Sequence, residues 1–134
     1  MIIQLAHICI HSNDLDATAR FYLNGLNLER GFEFIKDGEL FGYYIHLGEN
    51  SFIEVFKGNP GDVGNINHIA MQVDNIDETI ALLRNHGYEA GDKSLGADHS
   101  WQAWTTDPNG VRIEFHEYTA KSLQLTGGQC IVDW

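Results

Sequence analysis

Short runs in which apolar and polar residues alternate cover most of this chain, and two longer stretches replace alternation with helical spacing. QLAHICIH, residues 4–11, alternates as a strand. Asn13 or Asp14 then stands where a helix cap belongs, and Leu15, Ala19, Tyr22, Leu23 and Leu26 recur at i, i+4, i+7, i+8 and i+11 as one helical face. Strands are expected at about 28–36, 40–48 and 51–56, separated by turns at Asp37-Gly38 and Gly48-Glu49-Asn50.

After a joint rich in Gly, Asn and Pro at 58–65 the order begins again. INHIAMQV reads as a strand, and a helix follows from about 76 to 86, with Asn75 as cap, Glu78 three residues on and Gly87 as stop. Further strands are expected near 88–95, 100–106 and 111–118, the last two joined by a tight turn at Asp107-Pro108-Asn109-Gly110. Residues 1–134 are thus read as a single α+β domain of two βαβββ modules, about 1–57 and about 66–118, with a tail at 119–134. Leu123, Leu125, Ile131, Val132 and Trp134 make that tail apolar enough to dock on the domain or across a dimer.

The repeat extends to chemistry. Glu54 follows His7 by 47 residues, and Glu114 follows His68 by 46. Alternate side chains of a strand point to opposite faces. With His7 inward, Cys9 and His11 share its face, while Ala6, Ile8 and Ile10 turn to the helix side. Ile53 and Val55 flank Glu54, Ile69, Met71 and Val73 follow His68, and Ile113 and Phe115 flank Glu114 in the same alternation. Four strands therefore bury an oily row against helices and aim His7, Glu54, His68 and Glu114 at the other face. Two imidazoles and two carboxylates suit one first-row divalent ion per site, among Ni, Zn, Co, Mn and Fe, with positions left open for substrate.

Other polar and aromatic residues follow the same faces. His116 and Arg112 share the parity of Glu114, and His46 can face the cavity from the third strand. Arg112 could anchor an anionic group or pair with one of the many acids. Phe52 and Phe56 flank Glu54 as pocket candidates, whereas Tyr44 and Trp104 are weighed as core aromatics. His99 and Trp101 begin a strand or loop expected to line substrate. His86, beside Gly87, reads as a favourable charge on a helix C-terminus.

Nineteen acidic residues against eight basic ones give a net charge of −11, which disfavours a nucleic-acid partner. No apolar run approaches the roughly 18 residues of a membrane span, and MIIQLAHICIHSND lacks a basic leader, so the expected location is cytoplasmic with no membrane partner. Cys9 and Cys130 show no CxxC spacing and are expected reduced, Cys9 packed beside the site.

The opening strand with His7, the segment DLDATARFYLNGL and the closing segment TTDPNGVRIEF resemble the vicinal oxygen chelate superfamily over residues 1 to about 118. That group includes glyoxalase I, fosfomycin-resistance enzymes, extradiol dioxygenases and bleomycin-resistance proteins. The His, Glu, His, Glu set most resembles glyoxalase I (lactoylglutathione lyase). The resemblance implies half-open barrels built from two βαβββ modules around a metal held by His7, Glu54, His68 and Glu114. It also implies a homodimer with interfacial sites, with Glu114 as catalytic base and Glu54 as second proton carrier. Where glyoxalase I carries an Arg and an Asn for glutathione, this chain has His11 and Gly58.

The expected function is a metal-dependent lyase or isomerase of glyoxalase I type, acting through an enediolate on a small α-oxygenated carbonyl substrate without glutathione. The alternatives are an Fe-dependent dioxygenase, a fosfomycin-type thiol transferase and a non-enzymatic binding module of bleomycin-resistance type. Glu54, as a fourth ligand, is surplus to the two imidazoles and one carboxylate that such oxygenases and transferases use.

Overall fold

Asp14 caps the first helix: its Oδ1 accepts the amide of Ala17 at 2.9 Å. The helix begins as α1 (Leu15–Ala19) and widens into a π-helical stretch, Arg20–Gly25, in which the amide of Leu26 bonds the carbonyl of Phe21. A regular α-helix would bury the row Leu15, Ala19, Tyr22, Leu23, Leu26. The widened turn instead buries Phe21 beside Tyr22, and Leu15, Leu23 and Leu26 are only half-buried.

The structure, a computed structural model, describes residues 5, 7–49, 51–61 and 68–126. Ala6, Asn50, residues 62–65 of the joint, and Cys130, Ile131, Val132 and Trp134 of the tail lie outside the described residues. The chain forms two units, one of residues 1–63 with Pro108–Gly110, the other of 64–107 with 111–134.

In the first unit β1 (His7–Ser12), β2 (Glu29–Lys36), β3 (Glu39–His46) and β4 (Phe52–Lys57) form a sheet in the order β1-β4-β3-β2. β1 runs parallel to β4, and the remaining pairs are antiparallel. Asp37 and Gly38 both take positive φ, 51° and 79°, and close the β2–β3 hairpin with the twist that hairpins favour. The helix-side core is Ile10, Phe21, Tyr22, Tyr43, Ile45, Ile53 and Val55. Tyr43 reconciles its hydroxyl with that burial by donating to the carbonyl of Leu15 at 2.7 Å.

The second unit repeats the plan. β5 (Ile69–Gln72), β6 (Ser94–Leu95), β7 (Trp101–Thr106) and β8 (Arg112–Glu117) lie in the order β5-β8-β7-β6, with β5 parallel to β8. α2 (Ile76–Asn85) is capped by Asn75, whose Oδ1 accepts the amide of Glu78, and ends at Gly87, φ 82°. His86 Nδ1 lies 2.9 Å from the Leu82 carbonyl at that helix end. Ile76, Ile80 and Leu83 of α2 are buried, as are Ile113 and Phe115 of β8, and Glu117 receives the amide of Ile76 at 2.7 Å.

One expectation needs correction. The strand expected over 88–95 is confined to Ser94–Leu95. Arg84 takes the carbonyl of Ala90 at 2.7 Å and the carboxylate of Asp92 at 2.8 Å, and Thr105 Oγ1 takes the carbonyl of Glu89, so side chains occupy acceptors that a ladder would use. The tail also begins with structure of its own, a short helix α3 (Leu123–Thr126). Thr119 Oγ1 donates to the carbonyl of His99 and the amide of Leu123 to that of Asp98, which ties the start of the tail to the 98–100 loop.

Gly42 marks the tightest point of the first sheet. A Cβ there would overlap the carbonyl oxygen of Val55 and come within 2.6 Å of Phe56 Cδ1. We expect Gly42→Ala to lower stability by about 1–3 kcal/mol, the range of overpacking changes, read as a fall in the denaturation midpoint at unchanged slope. Gly48→Ala, with open space around its Cβ position, is the control.

Candidate metal centre

Parity places a ligand-type row on the face opposite each core. In the first unit, β1 and β4 bring Cys9 level with Glu54, and the next strand sets Tyr44 opposite Glu54. His7, two residues before Cys9 on the same face, reaches diagonally: its Nε2 lies 3.8 Å from Glu54 Oε2. Tyr44 completes the group, its Oη 3.4 Å from His7 Nδ1 and its ring edge-on to the imidazole.

The second unit has the same arrangement with different residues. Ala70 is level with Glu114, Trp104 lies opposite it, and His68, two residues before Ala70, has Nε2 3.3 Å from Glu114 Oε2. The Trp104 ring stands edge-on to His68 with centroids 5.0 Å apart. In both units the carboxylate is deep and the imidazole shallow: Glu54 and Glu114 side chains are 13% and 10% exposed, His7 and His68 41% and 34%. A buried carboxylate needs a positive or hydrogen-bonding partner.

Glu54 also alters its neighbours. Partial burial, followed by the hydrogen bond and charge of Glu54, raises the Cys9 thiol above its ordinary value. The hydrogen bond with Glu54 is the first cause that raises the Tyr44 phenol, followed by desolvation. In the second unit Glu114 Oε2 has another imidazole, His116 Nε2, at 3.0 Å.

From Tyr44 an aromatic row extends across the first sheet. Phe32 stacks on Tyr44 at 4.3 Å, Phe34 contacts both Phe32 and Phe56, and Phe52 meets Tyr44 and His46. Gly31 and Gly42 leave room beneath Tyr44 and Phe56. Phe32 is exposed, so the row presents rings outward.

A model of the glyoxalase/bleomycin resistance protein/dioxygenase superfamily matches residues 4–115. The chain belongs to this superfamily. Solved structures of similar fold include the antibiotic-binding protein TnmS3 from Streptomyces sp. CB03234, at 15% identity and TM-score 0.74 over 88% of this chain and 98% of that one. The fosfomycin resistance protein FosX of Listeria monocytogenes matches at 23% identity, TM-score 0.71, over 90% and 98%. A lactoylglutathione lyase from Agrobacterium tumefaciens matches at 18% identity, TM-score 0.66, over 88% and 94%. A comparison with curated protein sequences returned no match. At these identities the superfamily structures establish the fold, two four-stranded mixed sheets of vicinal oxygen chelate type.

The sequence-derived residues distribute unevenly over this superfamily frame. His7 and Glu54 meet, as do His68 and Glu114, but among the described residues no three His, Cys, Asp or Glu side chains gather into a metal-holding group. The pairs nonetheless fit a divalent ion chemically, each offering an imidazole nitrogen and a carboxylate oxygen on a non-core face. Phe52, Phe56 and His11 share the Glu54 face, and His11 packs over Gly58, whose Cβ position is 3.4 Å from the ring. Arg112 lies over the Trp104 ring at 4.6 Å. Trp101 falls on the opposite face with Ala103 and Thr105, under Lys93, and His99 occupies an exposed loop at φ 65°.

Tyr44 and Trp104 are site neighbours that sequence reasoning weighed as core. The signal was available, since each precedes its opposite glutamate by ten residues. No helix among the described residues is long and apolar enough to cross a membrane.

The raised thiol yields a test on metal-free protein. Because the thiolate is the nucleophile, Cys9 should alkylate more slowly at pH 8 than a free cysteine. In a Cys130→Ser background, Glu54→Gln removes the charge that helps hold the thiol up, so alkylation should accelerate. An unchanged rate would dissociate Cys9 from Glu54.

Proposed function

We propose that this protein is a divalent-metal-dependent lyase or isomerase of glyoxalase I type, acting on a small α-oxygenated carbonyl compound. The observation that carries the reading is the duplicated pair, an imidazole and a sunken carboxylate side by side in each half. His7 and Glu54 from one module, and His68 and Glu114 from another, would hold one Ni, Zn, Co, Mn or Fe ion. When bound, such an ion polarises a carbonyl and offsets the negative charge that develops on its oxygen.

The protein's own groups then carry the proton. Glu114 removes the hydrogen α to the carbonyl as H⁺, the C–H electrons pass into the carbon–carbon bond and the carbonyl pair moves to oxygen, giving an enediolate. Glu54 takes the proton of the adjacent hydroxyl and delivers it to the neighbouring carbon, and Glu114 passes its proton to that carbon's oxygen, so both carboxylates are restored and the net reaction moves hydrogen with no oxidant or reductant. Tyr44 and Cys9 flank Glu54 and keep it hydrogen-bonded, while the aromatic row offers an apolar rest for the remainder of the substrate. That outward row also favours a second reading, a ligand-binding module without turnover, and one relative of the same fold is described as antibiotic-binding.

Deuterium exchange separates the two readings. Wild-type protein loaded with metal should incorporate deuterium from D₂O into an α-hydroxycarbonyl compound, and Glu114→Gln at equal metal occupancy should not, since an amide cannot take the proton. The methylglyoxal-glutathione hemithioacetal should turn over weakly or not at all, because His11 and Gly58 stand where glutathione contacts would be. Turnover of it at about 10⁴–10⁸ M⁻¹s⁻¹ would make the protein a true glyoxalase I, whereas binding without exchange in either protein would favour the module.

The proposed assembly is a homodimer in which each centre draws His7 and Glu54 from one chain and His68 and Glu114 from the other. Mixed His7→Ala and His68→Ala variants should then recover one intact metal site per heterodimer. Subunit exchange without recovery would place each centre within a single chain.

A further inference from the structure

We propose that His116 is a positioning residue that holds the carboxylate of Glu114 in the orientation that takes up the divalent ion, a role that rests on the metal reading above. His116 Nε2 lies 3.0 Å from Glu114 Oε2, closer than His68 Nε2 at 3.3 Å, so Glu114 has an imidazole to spare. The His116 side chain is 12% exposed and lies on the same face of β8 as Glu114. An imidazole at that depth is costly to desolvate unless its nitrogens find partners.

The other end of the ring is where a built support appears. His116 Nδ1 is buried without a hydrogen-bond partner, and Asp98 Oδ2 lies 3.9 Å from it. Asp98 is itself pinned: its Oδ1 accepts the amide of Ser100 at 3.1 Å and the Gln102 side-chain amide at 3.3 Å. A Cβ at Gly96 would displace the Gln102 amide and the Asp98 carboxylate. The loop thus packs closely against the row Asp98, His116, Glu114. An imidazole bonded to a metal-binding carboxylate from outside fixes that carboxylate's orientation, and the charge of Asp98 faces the far nitrogen of the same ring at 3.9 Å.

The first module supplies an internal comparison. Phe56 follows Glu54 as His116 follows Glu114, and it packs in the aromatic row. Glu54 leans on a phenol and a thiol instead, both neutral donors. Only one of the two carboxylates is therefore held by an imidazole at that position, and the two halves are not equivalent despite their shared frame.

The test copies one module into the other. Ni²⁺ affinity is measured at fixed pH by competition with a chromophoric chelator for the full chain, His116→Phe and His116→Gln, alongside circular dichroism of the metal-free proteins. His116→Phe should bind Ni²⁺ about 10–100-fold more weakly, the usual cost of losing an outer partner of a ligand. His116→Gln, which restores a donor near Glu114, should recover most of the loss. A merely structural residue would not show that rescue. Should Phe prevent folding, His116→Ser, too short to reach Glu114, decides in its place. Unchanged affinity in the folded variant would overturn the role of His116 alone, while a wild-type chain that binds no Ni²⁺, Zn²⁺ or Co²⁺ would overturn the metal reading with it.

Discussion

Everything chemical in this chain depends on the register between the first and fourth strands of each half. Parallel pairing of Ile8 with Ile53 and of Ile10 with Val55 stacks one apolar row against the helix, and the same ladder sets Cys9 beside Glu54 on the reverse face. Ile69 with Ile113, and Met71 with Phe115, do the same for Glu114. Because the side-chain period is two, a slip of one residue would turn each carboxylate into the core and each isoleucine out to water. The buried area of those isoleucines is what makes the slip unfavourable. Hydrophobic burial on one face thus fixes the geometry of charge on the other.

That shared ladder leaves the surroundings of each His–Glu pair free to diverge. Tyr44 and Trp104 occupy matching places, as do Cys9 and Ala70, and Phe56 and His116. The first half is lined with rings and one thiol, the second with an imidazole, a carboxylate from the 96–100 loop and an arginine on a tryptophan. Like His–Glu pairs thus sit in unlike surroundings, apolar in the first half and polar in the second.

Strand alternation and cap residues made most of this architecture legible in the sequence, since they are local and each rests on a few adjacent side chains. Asp14, Asn75, Gly87 and the Asp37-Gly38 turn all act where the sequence places them. What escaped were features decided at longer range. Arg84 claims the Ala90 carbonyl, which the 88–93 stretch would need for a ladder, and no local pattern announces that competition. The π-helical turn that buries Phe21 answers to packing rather than to propensity. Parity located His116 on the right face, but its contact with Glu114 and its neighbour Asp98 depend on a loop whose course only the folded unit defines.

The exchange of Tyr44 for Trp104 gives the two halves different optical signatures. An indole edge-on to His68 and under Arg112 answers to the charge and motion of the second pair, whereas the first pair is watched by a phenol. Compared with a Trp104→Phe variant, which leaves the other two tryptophans and the five tyrosines of the chain in place, Trp104 thus serves as a built-in reporter of the second His–Glu couple that needs no attached label.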